Sequence, residues 1–372
     1  MPSVGYLDID RLALIPERYW PHHEFCFFLH DQMLQLLRQY EGSDIHNIVV
    51  KAFEGVLSEM EFPATENEVE VDFLDLLKKH GMVKQYKHHI VSHVVLALTA
   101  DLLNFLYEAL ACFEKRKFAV GFSLLRKPLK ENLLFLAWLL GNEDDFIARF
   151  ERDTYTTLNG MSPERREQLL SDAIQRLATK EGFASDLLEA MIFSKTHERS
   201  FEPVWQRATH LITSQGALLR TEDLNLNFIF HDVGSDGFFD LLYSNLPFVM
   251  LFAIQLSLEC FSRIVPANEL TTSHLILSSM GAYESLFGAK GKRKVGVTST
   301  LRRALGSFMK CVHCGAPYRL TKDNAVAMYL RETLQCGKCR LAAPFPLYWL
   351  LAQGKVTITR TESTPPILDE LR

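Results

Sequence analysis

The sequence predicts a mainly α protein: a multi-helix body, a short extended segment within it, and a small cysteine-bearing unit near the C-terminal end. Three observations predict this. Apolar residues recur at helical spacing from Phe25 to Phe287. The stretch "EDLNLNFIFHD", Glu222 to Asp232, alternates with a period of two instead. Four of the seven cysteines fall between Lys310 and Pro344.

The elements follow in order. "FCFFLHDQMLQLLRQY" has helical spacing and stops before Gly42-Ser43. "SDIHNIVVKAFEGVLSEM" opens on the cap residues Ser43 and Asp44. "EVDFLDLLKKHG" closes on basic residues and Gly81, a helix C-terminus. A long run from Val83 to Lys115 precedes "FAVGFSLLRKPLKENLLFLAWLL", which Gly141 closes. Asn142 and three acidic residues then open a helix, and Ser162-Pro163-Glu164 opens another. Helices resume near Gly237 and run to Phe287, with Pro247 and Pro266 as expected interruptions. The expected organisation is an N-terminal helical region (1–82), a main helical domain (83–287), a basic linker (288–309), the cysteine unit (310–360) and a flexible tail (361–372).

Composition excludes several classes. The chain is 48% apolar and 23% charged with a formal charge of -5, so it is not basic throughout. "LPFVMLFAIQLSLECFSRIV" is the best candidate for a membrane span, but Gln255, Glu259 and Arg263 interrupt it and a buried core helix fits better. No membrane association is expected. The N-terminus lacks a basic region followed by an apolar run, so a reducing, cytoplasmic compartment is expected and disulfides are not. There is no P-loop, dinucleotide-binding glycine pattern or Gly-x-Ser-x-Gly elbow.

Cys311 and Cys314 form one C-x-x-C pair, and Cys336 and Cys339 a second. Two intervening residues let a tight turn aim both sulfurs at one point. Gly315 and Gly337 are placed to supply positive φ in those turns. Four thiolates complete a closed tetrahedral site, for which Zn2+ is the expected ion; iron would accept the same donors. A thioredoxin-like pair would need a βαβ frame that is missing. Over residues 310–359 the chain resembles zinc-ribbon (rubredoxin-like) modules, which implies Cys311, Cys314, Cys336 and Cys339 as ligands. The expected fold is thus a multi-helix body followed by a small C-terminal zinc ribbon. Cys26, Cys112 and Cys260 lie in apolar runs and read as buried hydrophobes, and His313 as a surface turn residue.

Charge is unevenly placed. The window from Ser285 to Lys322 holds nine Lys or Arg and no acid, which leaves -14 for the rest of the chain. Lys290, Lys292, Arg293, Lys294, Arg302 and Arg303 are its candidate nucleic-acid contacts. The expected partner is RNA or DNA, or an acidic protein surface; a solvated linker against the acidic body is the alternative.

In the body, Arg126 shares a helical stripe with Phe122, Leu129, Leu133, Leu136 and Leu140. Glu131 shares a face with Leu124, Pro128, Phe135 and Trp138. Each is expected to be buried and paired, either in a structural network or at a ligand site beside a kink at Pro128. A second polar concentration holds His197, Arg207 and His210 near Trp205. His89 and His93 have i,i+4 spacing but no H-E-x-x-H pattern. Between Val83 and Phe261 the body resembles HEPN-like helical proteins, some of which are ribonucleases using an Arg and a nearby His on one helix. Asn132 stands where that His is expected, so His210 would have to act with Arg126. Two functions therefore stand side by side: a binding or interaction module directed to nucleic acid by the basic segment and the ribbon, and a metal-independent ribonuclease with Arg126 and His210 in its site.

Overall fold

The computed structural model describes residues 3–42, 73–152, 161–213, 221, 226–227, 236–288 and 296–358, and they are almost wholly helical. The body holds α1 (Ile9–Leu12), α2 (Trp20–Glu41), α3 (Phe73–Lys79), α4 (Val83–Glu114), α5 (Phe118–Lys127), α6 (Leu133–Gly141), α7 (Glu143–Arg152), α8 (Pro163–Arg176), α9 (Ser185–Phe193), α10 (Glu202–Thr209), α11 (Asp236–Ile264) and α12 (Glu269–Phe287). The C-terminal unit holds α13 (Val297–Leu305), α14 (Lys322–Arg331), β1 (Thr333–Gln335), β2 (Ala342–Pro344) and α15 (Leu347–Gly354).

Helix α11 is apolar on nearly every side, which suits a helix packed all round. It lies against α2, α4, α6 and α12. By length and composition α4 and α11 would each suffice to cross a membrane, but 83% of the apolar window of α11 is buried within the protein, against 44% of that of α4. Pro247 sits inside α11 without ending it. Its missing N–H costs a backbone bond, which the tight packing on all sides offsets. Helix α2, from the expected N-terminal region, packs against both α4 and α11 and shares one apolar core with them.

Local signals set several ends. The Ser162 hydroxyl accepts the Arg165 N–H at 3.2 Å, and the Asn142 side chain accepts that of Asp145 at 3.1 Å. Gly81 takes φ +69° after α3. Pro128 does not simply kink its helix. Residues Pro128–Asn132 form a π turn between α5 and α6, in which the Leu133 N–H reaches back to the Pro128 carbonyl.

The expected helix at residues 43–60, most of the alternating segment, Lys290 to Lys294 and the C-terminal tail lie outside the described residues. Within the alternating segment, Asn227 donates its backbone N–H to the Leu211 carbonyl at 2.7 Å. The 288–309 stretch is not linker throughout: Val297–Leu305 is a helix whose Leu301 and Leu305 are buried.

Candidate metal centre

The four cysteines are held by two local structures of the same design. The Cys311 N–H donates to the Ala316 carbonyl at 2.8 Å, and the Gly315 N–H to the Cys311 carbonyl at 2.9 Å. The Cys336 N–H donates to the Leu341 carbonyl at 2.9 Å, and the Arg340 N–H to the Cys336 carbonyl at 3.0 Å. Both turns are flanked by antiparallel pairing at the same register, Lys310 opposite Pro317 and Gln335 opposite Ala342. The residue after each second cysteine is left-handed: Gly315 at φ +67° and Arg340 at φ +62°. Gly337 is not among the positive-φ residues. The spacing assigned the strained position of the second turn to the wrong residue, because it lies after the pair and not inside it.

The turns bring the sulfurs together. Cys311 Sγ lies 3.7 Å from Cys339 Sγ, and Cys314 Sγ 3.6 Å from Cys336 Sγ. All four sulfurs lie within 4.8 Å of one another. A metal–sulfur bond of about 2.3 Å in a tetrahedron requires sulfurs about 3.8 Å apart, so the set fits one ion. The backbone N–H groups of Cys314 and His313 point at Cys311 and bring its thiol down to about 6. Those of Cys339 and Lys338 lower Cys336 likewise. The first cysteine of each turn is thus favoured as the thiolate that a metal takes. At Cys339 the Leu341 N–H, which lowers the thiol, is outweighed by burial and the neighbouring sulfurs, which push it up to about 11. Burial, and then the adjacent Cys311 sulfur, push the Tyr318 phenol up to about 12. Among the described residues, this is the only group of three or more Cys, His, Asp or Glu side chains placed to hold a metal ion. Cys26 and Cys260 are buried and Cys112 is half-buried, apart from that site.

The unit is fixed to the body through α12. The His274 ring meets Glu332 at 3.2 Å, the Ser285 and Thr298 hydroxyls lie 3.4 Å apart, and the Ile358 N–H donates to Ser273 Oγ at 2.9 Å. Its outer surface carries one sign of charge. Arg302, Arg303, Lys310, Arg319, Lys338, Arg340 and Lys355 are all exposed, and none forms an ion pair. Residues 296–358 contain two acids, and the described one, Glu332, is engaged with His274. In the body, Lys87, Lys127, Lys130, Arg165, Arg166 and Arg263 each meet a carboxylate, while Lys79, Lys115, Lys117, Arg152 and Lys195 are exposed with no ion pair among the described residues.

Arg126 is half-buried, not enclosed, and its Nε is buried without a hydrogen-bond partner. The expected carboxylate pairing is absent among the described residues; on the neighbouring positions Lys127 meets Asp101 at 2.7 Å and Lys130 meets Glu202 at 2.7 Å. Asn132, at the expected histidine position, is buried and donates to Asp101 and to the Leu98 carbonyl. Glu131 is half-buried. His210 is exposed in the extended residue that ends α10, and its carbonyl accepts from Asn227 at 3.0 Å. His197 and Arg207 are exposed as well. The His89 and His93 rings lie 4.2 Å apart.

Sequence reasoning missed a polar chain inside the body. Arg11 donates to Glu114 at 2.6 and 2.9 Å. His23 Nε2 meets the same carboxylate at 3.3 Å, and His23 Nδ1 lies 2.8 Å from the Tyr243 hydroxyl. An ionised carboxylate only accepts, so Nε2 donates and Nδ1 accepts from Tyr243. Burial lowers the pKa of His23 and keeps it neutral. Burial alone would raise Glu114, but the bonds from His23 and Arg11 outweigh it and hold the carboxyl below the usual range. Beside this chain, the buried Glu24 carboxylate accepts the backbone N–H groups of Val4 and Tyr6 at 2.6 and 2.8 Å. The available signal was the run "PHHEFCFF", polar residues entering an apolar helix.

No family model, curated relative or solved structure matches this chain.

Proposed function

We propose that the protein is a zinc-bearing helical binding module that docks nucleic acid through its C-terminal unit. The observation that carries this reading is the surface of that unit: it exposes Arg302, Arg303, Lys310, Arg319, Lys338, Arg340 and Lys355, while its one described acid, Glu332, is engaged with His274. Unpaired cations of one sign set up a field that attracts a polyanion. Zinc is the ion of the reading because four thiolates in a closed tetrahedral set suit it. The metal holds the small unit's turns, and the unit presents Arg302 and Arg303 on α13. Lys290, Lys292, Arg293 and Lys294 continue the same charge along the chain.

The test is titration with RNA and DNA oligonucleotides at rising salt. Four neutralised phosphates give a log–log slope of roughly -3 to -4. Replacing Lys290, Lys292, Arg293 and Lys294 together by Ala removes most of that slope and leaves the helical signal intact. No binding to either nucleic acid at low salt overturns the reading. Metal analysis of the purified chain checks the other half, with one zinc per chain expected.

A further inference from the structure

Helix α15 turns its aliphatic residues inward and its rings outward. Leu347, Leu350 and Leu351 are buried, whereas Tyr348 is 42% and Trp349 52% exposed. The Tyr348 ring is held edge-on to His274 with centroids 5.8 Å apart. Trp349 has no ring or hydrogen-bond partner among the described residues. A half-exposed indole on an ordered helix presents a flat apolar surface to solvent.

The ring lies near the charge. The end of α15 abuts α13: a Cβ on Gly354 would stand 2.5 Å from Leu305 Cδ2. At a rise of about 1.5 Å per residue, Trp349 is about 7.5 Å along its helix from that contact, and Arg302 about 4.5 Å along its own. Both residues therefore sit within two turns of the α13–α15 contact, on the scale of the footprint of about four nucleotides that a small binding fold covers. A flat ring beside unpaired cations is the chemistry that stacks a base and neutralises its phosphates. Bases inside a duplex already stack on one another, so this ring selects unpaired ones. The leucines of α15 are buried, so the face it exposes is aromatic, the kind of surface on which a base stacks.

The geometry points to single-stranded nucleic acid as the ligand of the C-terminal unit, with Trp349 stacking on a base and Arg302 and Arg303 meeting the flanking phosphates. This rests on the nucleic-acid reading above and adds strandedness and the stacking residue.

The experiment uses the full zinc-loaded chain and a short labelled oligo(dT), with a duplex of equal length as comparison. Trp349→Ala weakens oligo(dT) binding roughly 5- to 150-fold, the loss of one base-stacking contact, with the salt slope unchanged. Trp349→Phe recovers most of the affinity. Arg302→Ala with Arg303→Ala lowers the slope by about 1.4. Duplex binding does not change in Trp349→Ala. Wild-type affinity for oligo(dT) in Trp349→Ala overturns the inference while the nucleic-acid reading stands. Equal weakening of oligo(dT) and duplex overturns the strandedness. No binding of the wild-type chain to any nucleic acid overturns both. Trp349-dependent binding to anionic phosphatidylserine vesicles, without oligo(dT) binding, assigns the ring to a bilayer and also overturns it.

Discussion

Arg340 is a long cationic side chain placed where the metal turn needs a left-handed residue. Its counterpart in the first turn is glycine, which takes that conformation without a Cβ penalty. Arg340→Gly is expected to stabilise the metal-loaded unit by up to about 1 kcal/mol, read as a shift in the denaturant midpoint of the C-terminal unit. At the same scale, His23 and Glu114 make stability depend on pH. Both have folded pKa values below their unfolded ones. Each then binds fewer protons folded than unfolded, and each contribution is full at high pH and lost as pH falls. The His23 contribution begins to fade below about pH 6.5, and the Glu114 contribution from about 4.3 downward through its lower folded value. Thermal melts from neutral to acid pH should show a falling midpoint in that order, and His23→Asn should flatten the upper part. A midpoint that rises on acidification would contradict the assignment.

At the scale of elements, the turn at Pro128–Asn132 explains why the helical stripe through Arg126 did not hold. A π turn carries one more residue than an α turn, so everything after it is rotated by about one position. Leu133, Leu136 and Leu140 therefore no longer share a face with Arg126, and the arginine is left half-buried. The stabilising pair at this helix contact is Lys130–Glu202, with Glu202 1% exposed. Lys130→Met is expected to cost up to about 3 kcal/mol, because Glu202 stays buried without its cation. Arg126→Met should cost under about 1 kcal/mol, since it breaks no pair. Equal losses in chemical denaturation would reject this ranking. Docking of the C-terminal unit depends on another close contact. A Cβ on Gly281 would stand 2.2 Å from Tyr329 Cζ and 2.6 Å from its hydroxyl oxygen. Gly281→Ala should cost about 1–3 kcal/mol and loosen α14 from α12, seen as faster amide exchange in α14 while α11 stays protected.

For the whole molecule, the metal unit and the body should separate in their response to metal loss. Structural zinc in small domains contributes on the order of 10–16 kcal/mol, enough to decide whether the turns around the four cysteines hold. Chelation, or Cys336→Ser, is expected to unfold residues around the four cysteines and, with them, the proposed nucleic-acid surface. Most of the far-UV helical signal should remain, because α2, α4, α6 and α11 pack on one another, although the apolar core they share runs on into the C-terminal unit. A cooperative loss of all helical signal on chelation would show that body and unit fold as one.

The sequence by itself determined the features that local physics controls. Helical periodicity, the caps at Asn142 and Ser162, the stop at Gly81 and the two C-x-x-C pairs are each written in a few adjacent residues. Each survives in the structure for that reason. The metal donors were legible because a chelating turn depends on a spacing of two. Tertiary structure decided what depends on residues far apart. Arg126 forms no ion pair among the described residues, while Lys127 and Lys130 find Asp101 and Glu202. Pro247 stays helical because neighbours enclose α11. His23, Glu114 and Tyr243 meet across three helices, and no local pattern records that. The exposure of Trp349 is also a tertiary outcome. In the sequence it is one apolar residue among the leucines of α15, and only packing against the body chose which of them faces water.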